Sequence, residues 1–145
     1  MSTVRDVLAR KGSDVVRVPL DCTVLDAARI MSQGRIGGVL VCDADDCMVG
    51  IFTERDVLAR VVAAQRDPAA TVVSDVMTPN PVSISSLTSL DVCSALMTQR
   101  RVRHLPVVDD GELRGMITPG DLLAFRMAEQ ETLIQDLQHY VFDIR

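Results

Sequence analysis

Two short strings in this chain carry side chains suited to holding a phosphorylated sugar: Thr53-Glu54-Arg55-Asp56 and Thr118-Pro119-Gly120-Asp121. Each follows an apolar run that reads as a strand and opens a stretch that reads as a helix. A helix start presents unpaired N–H groups and the positive end of the helix dipole to an anion. The Thr53 or Thr118 hydroxyl can join those donors. Asp56 and Asp121, one turn in and on the same side, can accept from a pair of ribose hydroxyls. Arg55 can reach a phosphate where the second string has Gly120, and Arg103 and His104 offer further positive or donor groups on the facing strand. Ile36 and Val102 supply apolar walls suited to a purine ring, whose edge the adjacent backbone at Gly37 and Arg103 could read. The same Thr-x-x-Asp spacing is also an ordinary helix cap followed by an acidic first-turn residue, which stabilises a helix without any ligand. Finding it twice, after matched hairpins, favours a site.

The elements that position these residues are duplicated. Val39-Leu40-Val41-Cys42-Asp43 returns as Leu105-Pro106-Val107-Val108-Asp109, an offset of 66 residues. Gly50-Ile51-Phe52-Thr53 returns as Gly115-Met116-Ile117-Thr118, an offset of 65. The lead-ins also match, Val4-Arg5-Asp6-Val7-Leu8 against Val73-Ser74-Asp75-Val76-Met77. A period this long, present twice, predicts two similar halves closed against each other with related clefts, rather than a solenoid. In the first copy, Val15–Val18 reads as a strand stopped by Pro19, and Thr23 caps a helix ending at Gly34. Gly38–Cys42 is a continuous apolar run, the mark of a strand buried on both faces, and Met48–Phe52 is its hairpin partner. Thr53 opens a helix with Val57, Leu58, Val61 and Val62 as its expected buried stripe. The second copy repeats the scheme with a strand at Val82–Ile84, a helix ending near Arg100, and Asp110-Gly111 as the hairpin signal. The expected boundaries are 1–65, a linker over 66–71, 72–125, and a helical tail over 126–145. That tail carries an apolar stripe of Leu133, Leu137, Tyr140, Val141 and Ile144.

Composition excludes several classes. Fifteen basic against twenty acidic residues give a net charge of −5, which disfavours nucleic-acid binding through phosphate neutralisation. No apolar run approaches the roughly 20 residues of a membrane span. Arg5, Asp6, Arg10 and Lys11 interrupt any signal peptide, so a cytoplasmic location is expected. Cys22, Cys42, Cys47 and Cys93 form no C-x-x-C pair and suggest no zinc site. No Ser-His-Asp, Cys-His or paired-carboxylate arrangement points to an enzyme.

The run Val102-Arg103-His104-Leu105-Pro106-Val107-Val108-Asp109, its hairpin and the Gly-apolar-apolar-Thr-x-x-Asp step that follows resemble the CBS (cystathionine β-synthase) domain. Two tandem copies resemble a stand-alone Bateman module, over about Val4 to Phe125. The resemblance implies an α/β (α+β) fold of two β-α-β-β-α units packed with pseudo-two-fold symmetry, here with an extended C-terminal helix. It implies a non-catalytic regulatory module binding AMP, ADP or ATP in clefts between the units, with no separate cofactor or metal. It also implies that Thr23 and Ser89, and the positions of Ala28 and Ser94, line the sites. The expected partners are a second copy, through the units and the tail, and an unidentified regulated protein. The first copy lacks the Pro and the basic pair of the second, so the two clefts are expected to differ. A scaffold with vestigial clefts, or a module for S-adenosylmethionine or NAD(H), remains an alternative.

Overall fold

The computed structural model describes residues 1–143, so Ile144 of the expected tail stripe lies outside the described residues. The chain forms two compact units. One is continuous, Asp14–Val82; the other joins Met1–Ser13 to the chain from Ser83 onward.

In the first-copy unit, β1 (Arg17–Pro19) lies parallel to β2 (Gly38–Cys42), which pairs antiparallel with β3 (Met48–Thr53). A short β4 (Thr78–Pro79) adds to the free edge of β3, giving the order β1-β2-β3-β4. Every residue of β2 is buried, as its unbroken apolar run requires. Helix α2 (Val24–Gly34) begins at Thr23, whose hydroxyl accepts the Asp26 N–H at 3.1 Å, and stops at Arg35 in the left-handed region, φ 52°. Its Val24, Ala27 and Met31 pack on Val39, Val41 and Phe52 to make the core.

After Thr53 the chain makes one turn, α3 (Glu54–Asp56), then widens into a π-helix over Val57–Val62, with Ala63 N–H bonded to the Leu58 carbonyl at 2.9 Å. The expected stripe is only half buried. Val61 is enclosed and Val57 packs against the core, while Leu58 and Val62, one position further round the helix, are exposed. Residues 66–71, read from the sequence as a linker, fold back on the start of α2. There the Pro68 carbonyl accepts from Leu25 N–H and the Thr71 carbonyl from Val24 N–H.

In the second-copy unit, β5 (Leu105–Asp109) and β6 (Glu112–Ile117) form the hairpin. Its turn has Asp110 at φ 50° and Gly111 at φ 78°, the positive pair that an Asp-Gly turn accommodates. The expected strand Val82–Ile84 shrinks to one parallel bridge from Ile84 to Val107, with Ile84 N–H donating to the Pro106 carbonyl and Val108 N–H to the Ile84 carbonyl. Asp109 accepts the Ser86 N–H at 2.9 Å, and that bond, with the Ser86 hydroxyl and Arg114, holds its carboxyl below the usual range. Helix α4 (Leu90–Arg100) starts at the Ser89 cap, and α5 (Pro119–Asp143) packs against both α4 and α1 (Val4–Lys11).

The lead-ins are exchanged. Val73–Met77 precedes the second copy yet belongs to the first-copy unit, and Val4–Leu8 precedes the first copy yet belongs to the other. Each seats a side chain over the equivalent glycine. A Cβ on Gly50 would come within 2.5 Å of the Met77 sulfur and 2.9 Å of the Thr78 carbonyl oxygen, and one on Gly115 within 2.7 Å of Leu8 Cδ2. The matched lead-in sequences differ in local form, α-helix at Val4–Lys11 and a single 3₁₀ turn at Val73–Asp75. Gly50→Ala, which meets backbone, is expected to destabilise its unit by about 1–3 kcal/mol. Gly115→Ala, which meets only the end of a flexible leucine, is expected to cost less. Urea unfolding midpoints of the two variants test the order.

Candidate functional site

Each unit brings its Thr-x-x-Asp step to the corner where the central hairpin ends. In the first-copy unit Thr53 pairs with Gly38 in the sheet, and Glu54 N–H donates to the Gly37 carbonyl at 3.0 Å. The loop holding Ile36 and Gly37 is thereby fixed beside Thr53. Ile36 also packs against the core, so its side chain is partly a structural one. In the second-copy unit the Leu105–Ile117 pair places His104 beside Thr118 by the same register, with Val102 and Arg103 just before it. Arg55 and Arg103 are exposed; Ile36, Val102 and His104 are half-buried.

Thr23 and Ser89 sit elsewhere within their units. Both cap the helices that follow the first strand, Thr23 accepting from Asp26 N–H and Ser89 from Val92 N–H at 3.3 Å. β1 ends with Pro19 opposite Cys42, whereas Thr53 lies opposite Gly38, so Thr23 is at the far end of β2 from its own unit's Thr53. Four residues of strand separate those ends, roughly 13 Å. Ser94 faces α5, where Arg126 donates to its hydroxyl at 3.4 Å; Ala28 is half-buried in α2.

The two carboxylates are held alike by their own threonines and differently by everything else. Asp56 Oδ2 accepts the Thr53 N–H at 2.9 Å and its hydroxyl at 3.3 Å, while Oδ1 accepts the Thr78 hydroxyl at 3.3 Å. Arg60, one turn along, lies 3.7 Å from Oδ1 and donates to the Met77 carbonyl at 2.6 Å. Asp121 Oδ2 accepts the Thr118 N–H at 2.9 Å, and Asp121 N–H returns a bond to the Thr118 hydroxyl at 3.3 Å. Phe125 occupies the position equivalent to Arg60. The cation comes instead from the lead-in helix: Lys11 Nζ is 2.7 Å from Asp121 Oδ2 and 2.7 Å from the Met116 carbonyl oxygen. The Asp56 side chain is 7 % exposed and that of Asp121 is 21 %. The second carboxylate is therefore the more accessible. Pro119 takes the first helical position, where no N–H bond is lost.

Lys11, Thr78 and Arg60 were not among the residues singled out by sequence. Lys11 and Thr78 lie in the lead-ins, three residues and one residue beyond the matched Leu8 and Met77, and nothing local announces which copy each lead-in meets. Arg60 had a signal, an i+4 cation after Asp56 on a helix.

The remaining chemistry is sparse. All four cysteines are free, and burial pushes the thiols of Cys22, Cys42 and Cys93 up, disfavouring thiolate. Among the described residues no cluster of three or more His, Cys, Asp or Glu could hold a metal, and no helix is long and apolar enough to cross a membrane.

The family model for the CBS domain matches the chain twice, over residues 4–63 and 73–128. This chain belongs to the CBS-domain family. It is 32 % identical to the mitochondrial CBS domain-containing protein CBSX3 of Arabidopsis thaliana, over 97 % of this chain and 72 % of that protein. The chain spans only 20–23 % of several longer Arabidopsis CBS-domain proteins that it also matches. Its structure is similar to that of a CBS-domain protein of Agrobacterium tumefaciens, with TM-score 0.82 and 39 % identity over 86 % of this chain and 99 % of that one. It is also similar to CBSX2 solved in complex with AMP, with TM-score 0.73 and 28 % identity over 90 % and 99 % of the two chains. The sequence-based family and α/β fold are thus borne out, C-terminal helix included.

Removing the two carboxylates separates their structural weight. Asp56→Ala orphans three donors at a nearly closed position and is expected to cost about 2–3 kcal/mol. Asp121→Ala loses one cap bond and a part-exposed ion pair, about 1 kcal/mol. Denaturant titrations of both variants give the comparison, and equal losses would contradict it.

Proposed function

We propose that this CBS pair is a non-catalytic sensor of adenine nucleotides, bound at the Thr-x-x-Asp corners. The observation that carries the reading is the recurrence of one reciprocal Thr–Asp cap, at one place, in both units of a chain folded like CBSX2, which was solved with AMP. In each corner the helix start offers phosphate its dipole and its remaining N–H groups, that of Glu54 being taken by the Gly37 carbonyl and Pro119 having none. The aspartate offers oxygens to ribose hydroxyls, and the preceding loop offers an apolar wall and backbone to the base. Asp121, with His104 set beside Thr118 by the strand register and Arg103 preceding it, is the better-equipped and more open of the two. A ligand acts on such a module only by binding one arrangement of it more tightly than another.

The four free thiols suit a reducing compartment such as the cytoplasm. The regulatory output we assign to α5, whose exposed Ile134, Leu137 and Val141 recur at three- and four-residue spacing. That spacing is the seam of a two-helix coil, and the partner we assign to it is a second copy of this chain. Leu137→Asp is expected to lower the oligomeric state; sedimentation unchanged by it would remove α5 from the interface.

Nucleotide binding is tested by thermal shift with AMP, ADP, ATP, NAD(H) and S-adenosylmethionine. A ligand at a hundredfold excess over its Kd should raise the midpoint by roughly 8 °C. Asp121→Asn, which keeps the side-chain shape, should lose most of that rise. Absence of a shift with every ligand would favour the scaffold, and a shift only with S-adenosylmethionine or NAD(H) would reassign the ligand.

A further inference from the structure

The cation paired with Asp121 is not part of its own helix, and its position bears on what the corner can accept. Lys11 ends α1, and its ammonium spans Asp121 Oδ2 and the Met116 carbonyl, 2.7 Å from each. The equivalent donor in the first-copy unit is the neutral hydroxyl of Thr78, with the cation supplied by Arg60, itself tied to the Met77 carbonyl. Lys11 is 32 % exposed on a flexible stem, so it can leave the carboxylate without unfolding α1. Lys11 sits on Oδ2, so a ribose that offers both of its hydroxyls to the Asp121 carboxylate competes there with that ammonium. A nucleoside offers the displaced lysine nothing in return, whereas a phosphorylated nucleoside offers it an anion.

We infer that Lys11 is a specificity-determining residue, which makes the Asp121 corner select nucleotides over nucleosides by passing its ammonium from the aspartate to the ligand phosphate. This rests on the nucleotide-binding reading. No covalent step is involved: one ion pair is exchanged for another, and the carboxylate accepts the ribose hydroxyls while keeping its bond from the Thr118 N–H. The two corners then differ in kind. At Asp56 the arginine lies on the carboxylate's own helix, 3.7 Å from Oδ1, and stays, and at Asp121 the lysine, carried by a separate helix, exchanges the carboxylate for the phosphate.

The test compares calorimetric affinities for AMP and adenosine in this 145-residue chain, using the binding phase that Asp121→Asn removes. In Lys11→Met the AMP affinity should fall and the adenosine affinity should hold or rise, shrinking the preference for AMP about tenfold or more. Lys11→Arg, which keeps the charge, should restore most of the preference. A role limited to packing α1 would instead weaken both ligands together and leave their ratio intact. A ratio changed by less than about twofold in a folded Lys11→Met, or a phase that survives Asp121→Asn, overturns this assignment while leaving nucleotide binding standing. No AMP binding by the unaltered chain overturns both.

Discussion

The corner between hairpin and helix depends on one hydrogen bond, the carboxylate of an aspartate accepting the backbone N–H of the threonine three residues before it. That bond, 2.9 Å at both Thr53 and Thr118, ends a strand and starts a helix within four residues. It fixes the helix start next to the loop that precedes the central strand. With its N–H satisfied by its own aspartate, each threonine is fixed at the junction; of the N–H groups that follow, that of Glu54 is taken by the Gly37 carbonyl and that of Asp121 by Thr118, and Pro119 has none. The candidate ligand chemistry is therefore a by-product of solving a folding problem.

A third case shows what the cap alone does not confer. Thr3-Val4-Arg5-Asp6 opens α1 with the same bond at the same 2.9 Å, at an exposed position with no hairpin beside it. Geometry at the cap is thus common to all three helix starts. The two corners stand apart because each lies at the end of a buried hairpin and receives a donor from a lead-in segment. The exchange of lead-ins supplies that donor. Met77 seated over Gly50 brings Thr78 to Asp56, and Leu8 seated over Gly115 brings α1, and with it Lys11, to Asp121.

This explains which parts of the molecule could be read in the chain. Strand β2, the Asp110-Gly111 hairpin and the helix caps at Thr23 and Ser89 follow from local rules: an unbroken apolar run, a turn that wants positive φ, a hydroxyl before an apolar helix. The duplication exposes the matched corners. Local rules fail where the decisive contact is distant in sequence. Lys11 and Asp121 are 110 residues apart, and no pattern near either forecasts the pair. They fail again at Val57–Val62, where helical spacing predicts a four-residue buried stripe, but the segment winds as a π-helix and Leu58 and Val62 are exposed. Ile36, read as a wall for a base, also fills the core, because a loop that approaches a buried strand must contribute to its packing.

The asymmetry between the corners follows from single positions in an otherwise repeated design. A buried carboxylate needs a nearby cation or several donors to remain charged. The first copy meets that need from its own helix with Arg60, and its carboxylate is nearly closed off. The second copy carries Phe125 there, which leaves Asp121 to be compensated from outside its helix and keeps it more open. An arginine on the carboxylate's own helix is kept beside it by the backbone, and its fork loses geometry if it moves. A lysine at the end of a short helix is a point charge on a long tether, which can exchange one anion for another without moving its helix. One substitution on the helix thus turns a closed structural corner into an open one whose counter-charge can be exchanged.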